Sequence, residues 1–221
     1  MTPSRPRLYL VTPRLEDTAS FAGAMDAALA AGDVAAVLLR LNDADERTLI
    51  NRVKTIGSVV QRRDIALLLD GRPELAARAG ADGAHLTGIE ALRAALATLK
   101  PVRIAGAGGL CSRHDAMLAG ETAADYVMFG DPPPYPPPHA GEGRVGVGGC
   151  LPFPVLCERL AWWAELFQPP CIGYAANADE IRPIAQAGAD FVALGEWIWN
   201  ESGGAEKAVA MASESLAAAF P

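Results

Sequence analysis

A short pattern occurs three times along this chain and limits the folds that it can adopt. In each copy, small residues typical of a helix end precede an aspartate-led turn, and a short apolar run follows. The copies occupy residues 79–86, 123–130 and 187–194. A helix-turn-strand unit that recurs along one chain predicts parallel strands joined by helical crossovers, and therefore a β/α repeat architecture.

Eight short apolar runs fit this architecture. They are continuous rather than alternating, as expected of parallel strands whose two faces are both covered. Between them the composition is helical, with Asp17 and Asp45 as N-caps of two helices and a final helix over residues 205–220. The predicted strands are residues 8–11, 35–41, 65–69, 83–86, 102–105, 126–129, 171–174 and 191–194.

The chain length is compatible with a closed barrel. A (β/α)8 barrel takes roughly 200 to 400 residues, and this chain has 221. We therefore predict one α/β domain over residues 1–221, a (β/α)8 TIM barrel whose site lies at the carboxyl ends of the strands.

Charge and composition narrow the range of partners. A formal net charge of -7 disfavours nucleic acid and anionic membranes, because no basic cluster offsets the repulsion. No uninterrupted run approaches about 18 apolar residues, and the first residues lack an apolar stretch long enough for a signal peptide, so we expect neither a membrane span nor a signal peptide. The four cysteines show neither the spacing of a metal site nor the density of a disulfide scaffold. We expect a cytoplasmic protein with a reduced interior and a small-molecule ligand at the C-terminal face of the barrel. Whether the chain forms a homo-oligomer stays open.

One segment interrupts the β/α rhythm, the stretch at residues 131–149 after the sixth strand. Its density of proline and glycine excludes regular structure. Loops at the carboxyl ends of barrel strands build the active site, so this long loop is expected to overhang the site as a substrate lid. The alternative is a polyproline II spacer or a partner-binding segment on the surface.

The chain resembles the thiamine phosphate synthase family and its thiazole tautomerase relatives. The resemblance rests on residues 8–12, on the three repeats and on the Gly-Ala-Asp at residues 188–190. The resemblance covers nearly the whole chain. It implies a barrel, and a transferase of thiamine biosynthesis that condenses a pyrimidine pyrophosphate with a thiazole phosphate. It also implies Mg²⁺, which accompanies the departing pyrophosphate.

The resemblance places phosphate-binding residues at the ends of three strands. Arg40 stands at the arginine of the family's Gln-x-Arg-x-Lys pattern, where Leu38 and Asn42 replace the glutamine and the lysine. Gly173 and Gly195 follow the family at the ends of the seventh and eighth strands, where a barrel holds phosphate on backbone amides. The family's Thr-x-Thr-Lys has no counterpart after the sixth strand.

The resemblance also implies a pair of carboxylates for Mg²⁺. Asp70 lies one position before the first aspartate of the family, where this chain has Gly71, and Glu90 stands at the second. Carboxylate oxygens, water and substrate phosphate are the ligands that Mg²⁺ prefers. The alternative is structural, because Asp-Gly at this place is also an ordinary strand-to-helix turn.

Three further residues are candidates for the site. Cys111 stands at a histidine of the family and is expected to be a packed thiol rather than a nucleophile, with Ser112 as the N-cap of the next helix. Tyr174 brings an aromatic ring to the strand ends, either to line a ligand site or to fill the barrel. Glu196 follows the last strand, and its carboxylate is expected to repel a phosphate there unless it turns away or Arg40 neutralises it.

These residues leave three functions open. In the first, Arg40, Asp70 and Glu90 carry out the thiamine phosphate synthase reaction, and the protein binds Mg²⁺ and phosphate. In the second, the chain is a catalytically silent paralogue that binds a ligand or a partner protein and needs neither. The third, a thiazole tautomerase or another isomerase, lacks the expected histidine because Cys111 occupies its place.

Overall fold

Eight parallel strands close into a barrel in which each strand pairs with its neighbours in the sequence, and the last strand pairs with the first. The computed structural model describes residues 5–132 and 151–220. The strands are β1 (Arg7–Leu15), β2 (Val34–Leu41), β3 (Ala66–Asp70), β4 (Gly83–Thr87), β5 (Ile104–Gly108), β6 (Tyr126–Phe129), β7 (Cys171–Ala175) and β8 (Phe191–Leu194).

A helix follows each strand, which confirms the predicted (β/α)8 barrel. The helices are α1 (Thr18–Ala30), α2 (Glu46–Val60), α3 (Pro73–Ala79), α4 (Ile89–Leu99), α5 (Arg113–Glu121), α6 (Phe153–Leu166), α7 (Ile181–Gln186) and α8 (Gly204–Ala219). None of the described helices is long and apolar enough to cross a membrane.

The aspartates of the three repeats have one structural role. Asp82, Asp125 and Asp190 each precede a strand, and a carboxylate oxygen of each accepts a hydrogen bond from a backbone N–H of the preceding strand, at 2.7, 2.7 and 2.8 Å. The backbone N–H of each aspartate donates to that strand in return. The repeated sequence therefore links neighbouring strands by hydrogen bonds at the N-terminal end of the barrel. In barrels of this kind, residues at that end contribute to stability rather than to catalysis.

The N-caps agree with the sequence-based prediction. The Asp17 carboxylate accepts from two backbone N–H groups of α1, and the Asp45 carboxylate accepts from that of Thr48 in α2. Ser112 and Asp115 form a reciprocal capping box at the start of α5. This cap confirms the prediction that Ser112 begins the helix.

Two strand boundaries differ from the prediction. β1 extends to Leu15 through two register shifts against β2, which carries Arg14 to the mouth of the barrel. β5 begins at Ile104, where its pairing with β4 starts, and Val102 lies exposed in the preceding turn. Residues 133–149 of the predicted loop lie outside the described residues, so a lid and a spacer both remain predictions.

Alternation along the strands separates two apolar cores. Side chains on one face of the strands pack against the helices. Side chains on the other face, which come from most of the strands, fill the barrel interior. The interior set is Tyr9, Val11, Ala36, Leu38, Leu68, Tyr126, Met128, Ile172, Tyr174 and Ala193. Continuing this period of two along β2 and β3 brings Arg40 and Asp70 inward at the carboxyl ends.

Candidate functional site

Arg40 is a charged side chain buried at the mouth of the barrel. It is 2% exposed, and it lies two residues after the inward-facing Leu38. Its backbone N–H donates to the hydroxyl of buried Thr12 at 2.9 Å, which holds β2 in place at the register shift of β1 between Val11 and Arg14. A guanidinium group at this depth requires partners of opposite charge.

Two carboxylates and a second arginine surround Arg40. Its Nη1 atom donates to the Glu196 carboxylate in a short ion pair. Its Nε atom lies 3.5 Å from Asp70 Oδ2, and Arg14 Nη2 lies 3.7 Å from the same oxygen. We call Arg14, Arg40, Asp70 and Glu196 the mouth cluster; its two positive and two negative charges compensate one another.

Tyr174 lies beside this cluster on β7. A Cβ atom added to Gly195 would lie 2.4 Å from the Tyr174 hydroxyl oxygen, so the glycine makes room for the phenol. Burial, followed by the nearby Glu196 carboxylate, raises the pKa of Tyr174 to about 12, and the backbone of Glu196 hydrogen-bonds to the phenol. Tyr174 therefore stays protonated and occupies the mouth next to Gly195.

The other predicted phosphate-binding glycine, Gly173, faces away from the barrel interior. A Cβ atom there would lie 2.3 Å from Ile184 and 2.9 Å from Leu160. Small size at this position therefore allows α6 and α7 to pack closely on β7.

A chain of hydrogen bonds crosses the barrel interior below the mouth. His85 Nδ1 lies 2.9 Å from the Tyr126 hydroxyl, which lies 3.0 Å from that of Tyr9. All three side chains are buried. Burial raises the pKa of both tyrosines and lowers that of His85, although the Asp70 and Asp131 carboxylates oppose the latter shift. The network is therefore uncharged near neutral pH.

Glycines of β5 create the space for this network. A Cβ atom at Gly106 would lie 2.0 Å from the Tyr126 ring, and one at Gly108 would lie 2.4 Å from His85 Nε2. Asp131, just after β6, accepts a hydrogen bond from the Gly109 N–H at 2.7 Å. Burial raises the pKa of Asp131, while this N–H and His85 act against the shift.

The two carboxylates predicted to bind Mg²⁺ have different surroundings. Asp70 contacts the arginines of the mouth cluster, whereas Glu90 has an 89% exposed side chain and pairs with Arg93 on its own helix. Within residues 5–132 and 151–220, no three His, Cys, Asp or Glu side chains converge as a metal site. Of the two, Asp70 is the one at the mouth of the barrel, and one carboxylate together with substrate phosphates is a ligand set that Mg²⁺ commonly takes.

Cys111 differs from the expected packed thiol. It is exposed in the turn between β5 and α5, and its sulfur is disulfide-bonded. The sulfur is thus neither a buried hydrophobe nor a free nucleophile. The expectation that all the cysteines are reduced is wrong at this position; Cys157 and Cys171 are free thiols.

Sequence reasoning missed several residues that line the barrel. Arg14 was hidden by the unexpected length of β1, and Asp131 was treated only as the start of a loop. His85, Tyr9 and Tyr126 were assigned to strands without a role. Period-two alternation is the signal that could have found the last three, because it places each of them on the inward face.

Comparison with known proteins adds independent information. The family model described as thiamine monophosphate synthase matches residues 8–136. The thiamine-phosphate synthase of Rhodospirillum centenum is 40% identical over 206 residues, covering 92% of this chain and 94% of the relative. That of Hyphomonas neptunium is 34% identical over 212 residues, covering 93% and 91%.

The fold comparison agrees with the barrel. The thiamine phosphate pyrophosphorylase of Pyrococcus furiosus superimposes with a TM-score of 0.76 at 21% identity, covering 98% of both chains. At this identity the likeness shows a shared fold.

Proposed function

Because the chain belongs to the thiamine monophosphate synthase family, we propose that it joins a pyrimidine pyrophosphate to a thiazole phosphate and releases thiamine phosphate and pyrophosphate. The observation that carries this proposal is the 40% identity to a thiamine-phosphate synthase across nearly the full length of both chains. The silent-paralogue alternative is not favoured, because the similarity covers 94% and 91% of the length of two relatives that carry the enzyme's name.

The reaction needs a site that separates charge. The bond between the pyrimidine methylene carbon and the pyrophosphate oxygen breaks, and both electrons leave with the pyrophosphate. The thiazole nitrogen then donates its lone pair to that carbon, which gives a thiazolium product without net proton transfer. A cation that meets the departing pyrophosphate stabilises the charge that develops in the transition state.

Arg40 is our candidate for that cation. It lies at the carboxyl end of β2, where barrel enzymes place their catalytic residues, and contacts with Thr12 and Asp70 hold it in position. The guanidinium has several donors in a fixed plane, which suits phosphate oxygens. Gly173 and Gly195 remain weaker candidates for phosphate binding, because Gly173 packs against helices and Gly195 against Tyr174.

Mg²⁺ is part of this proposal as a partner of the pyrophosphate. Asp70 would supply a carboxylate oxygen, and the ion would neutralise charge on the leaving group. Glu90 is the weaker candidate because it pairs with Arg93 at the surface. We place the activity in the cytoplasm, with small molecules bound at the C-terminal face.

Genetic complementation tests the proposal. A bacterial strain that lacks its own thiamine phosphate synthase should grow without added thiamine when it expresses this chain. Arg40→Gln should abolish growth, whereas Arg93→Gln, which removes an exposed arginine on α4, should not. Failure of the wild-type chain to support growth, with folded protein present in the cells, would contradict the proposal.

A further inference from the structure

The phosphate position that a barrel ordinarily offers is filled here by the chain itself. Barrels commonly hold phosphate between the loops after strands seven and eight and the N-terminus of a short helix. In this chain the phenol of Tyr174 projects from β7 toward Gly195. The carboxylate of Glu196, at the start of a short 3₁₀ helix over Glu196–Asn200, turns to Arg40. An anion that arrives at Arg40 therefore meets a negative charge already in place.

The two carboxylates that lie beside Arg40, those of Asp70 and Glu196, differ in how readily they can move away from it. Asp70 ends a paired strand, is 21% exposed and lies near both Arg40 and Arg14. Glu196 has a 35% exposed side chain, follows a glycine and is the first residue of the short 3₁₀ helix after β8. Glu196 has the longer side chain and easier access to water, so its carboxylate is the partner that an incoming anion can replace.

We propose that Glu196 is an internal competitor for the pyrophosphate group of the substrate: its carboxylate occupies the anion position on Arg40 in the free protein and is displaced when that group binds. This inference rests on the proposed function, since it assumes that Arg40 meets the pyrophosphate. An anion that binds at Arg40 must first break the Arg40–Glu196 ion pair. Because that cost is the same for every anion that needs the guanidinium, Glu196 weakens the binding of all of them.

Calorimetric titration with inorganic pyrophosphate, in the absence of Mg²⁺, tests the inference directly. Glu196→Gln keeps the size of the side chain but removes its charge. It should bind pyrophosphate at least about tenfold more tightly, equivalent to about 1.4 kcal/mol. The matched control is Glu201→Gln. Glu201 directly follows the 3₁₀ helix, and its carboxylate accepts a hydrogen bond from the Ser202 hydroxyl. The affinity of this variant for pyrophosphate should match that of the wild type.

Two further variants complete the test. Adding Arg40→Gln to Glu196→Gln should abolish the gain, because the gain requires the guanidinium. If Glu196→Gln fails to fold, Glu196→Asp replaces it: the shorter carboxylate reaches Arg40 less well, and binding should tighten at least about threefold. Unchanged or weaker pyrophosphate binding in the folded variant would overturn the inference.

The outcomes separate this inference from the proposed function. If the wild type forms no thiamine phosphate but Glu196→Gln binds pyrophosphate more tightly, the inference holds and the proposed function fails. If the wild type forms thiamine phosphate and the variant shows no gain, the inference fails alone.

Discussion

The buried guanidinium of Arg40, at the end of β2, is ion-paired with Glu196, which directly follows Gly195 after β8. The two residues are 156 positions apart in the sequence, and the strands that carry them both pair with β1. This ion pair links the end of β2 to the segment after β8 across one side of the barrel mouth. It also explains how an arginine that is 2% exposed is accommodated within the barrel.

Removing Arg40 should therefore destabilise the fold. Arg40→Gln leaves Asp70 and Glu196 facing each other without their shared cation, and we expect a loss of about 2 kcal/mol in the free energy of unfolding. This is below the 3–5 kcal/mol typical of a fully buried pair, because both carboxylates are partly exposed and solvent screens them.

Urea denaturation measures this loss. The control Arg93→Gln breaks an exposed pair with Glu90 on α4 and should change the free energy of unfolding by less than about 0.5 kcal/mol. Equal stability of the two variants would show that the Arg40 contacts contribute little to the folded state.

The glycine at position 106 should be essential to the interior network. Gly106→Ala places a methyl group 2.0 Å from the Tyr126 ring, so the ring must move and its hydrogen bonds to Tyr9 and His85 must lengthen or break. We expect a loss of about 3 kcal/mol from overpacking and from buried hydroxyls left without partners.

A second glycine provides the control for that experiment. Gly23 lies exposed within α1, and an added Cβ atom there meets nothing within 4 Å. Gly23→Ala should stabilise the protein by about 0.5 to 1 kcal/mol, because alanine has the higher helix propensity. A Gly106→Ala variant as stable as the wild type in the same thermal unfolding assay would refute the packing of Tyr126 described here.

Buried tyrosines should make the fold sensitive to alkali. The pKa of Tyr174 is raised to about 12, and those of Tyr9 and Tyr126 are raised as well. A raised pKa means that the folded state keeps its proton after the unfolded chain loses it near pH 10. The stability is therefore present below about pH 10 and is lost as the pH rises, by up to about 1.4 kcal/mol per pH unit for each tyrosine.

Tyr174→Phe isolates one of these contributions. Urea denaturation at about pH 8.5, 10 and 11 should show a shallower decline of stability in the variant than in the wild type, with the difference growing above about pH 10. Comparing the two proteins at each pH cancels the titration of lysines. Parallel curves would mean that the Tyr174 phenol ionises as readily in the folded protein as in the unfolded chain.

Most of the fold was predictable from local sequence. The repeated aspartates mark the start of a strand because each binds the backbone of the neighbouring strand, and Ser112 marks a helix start by its capping box. Val102 was assigned wrongly because an apolar residue in an exposed turn looks like the start of a strand in sequence. Its position depends on where β5 begins to pair with β4, which no local pattern specifies.

The candidate site was only partly predictable. Arg40, Asp70, Tyr174 and Glu196 were each singled out, and the structure brings them together at the mouth. Neutralisation of Glu196 by Arg40 was one of the expected alternatives, and the structure shows that ion pair. The approach of Asp70 to Arg40 was not foreseen, because it depends on the distance between strand ends far apart in sequence. Glu90 illustrates the opposite case: its place in a motif suggested a ligand, whereas its contact is with Arg93.

The most direct test is the reaction itself. The purified chain is incubated with pyrimidine pyrophosphate, thiazole phosphate and Mg²⁺, and thiamine phosphate and pyrophosphate are measured. The account predicts that both products form in equal amounts and that Arg40→Gln lowers kcat/KM by at least about 100-fold, or about 2.7 kcal/mol of transition-state stabilisation. Absence of thiamine phosphate with the folded wild-type protein, or full activity in Arg40→Gln, would contradict it.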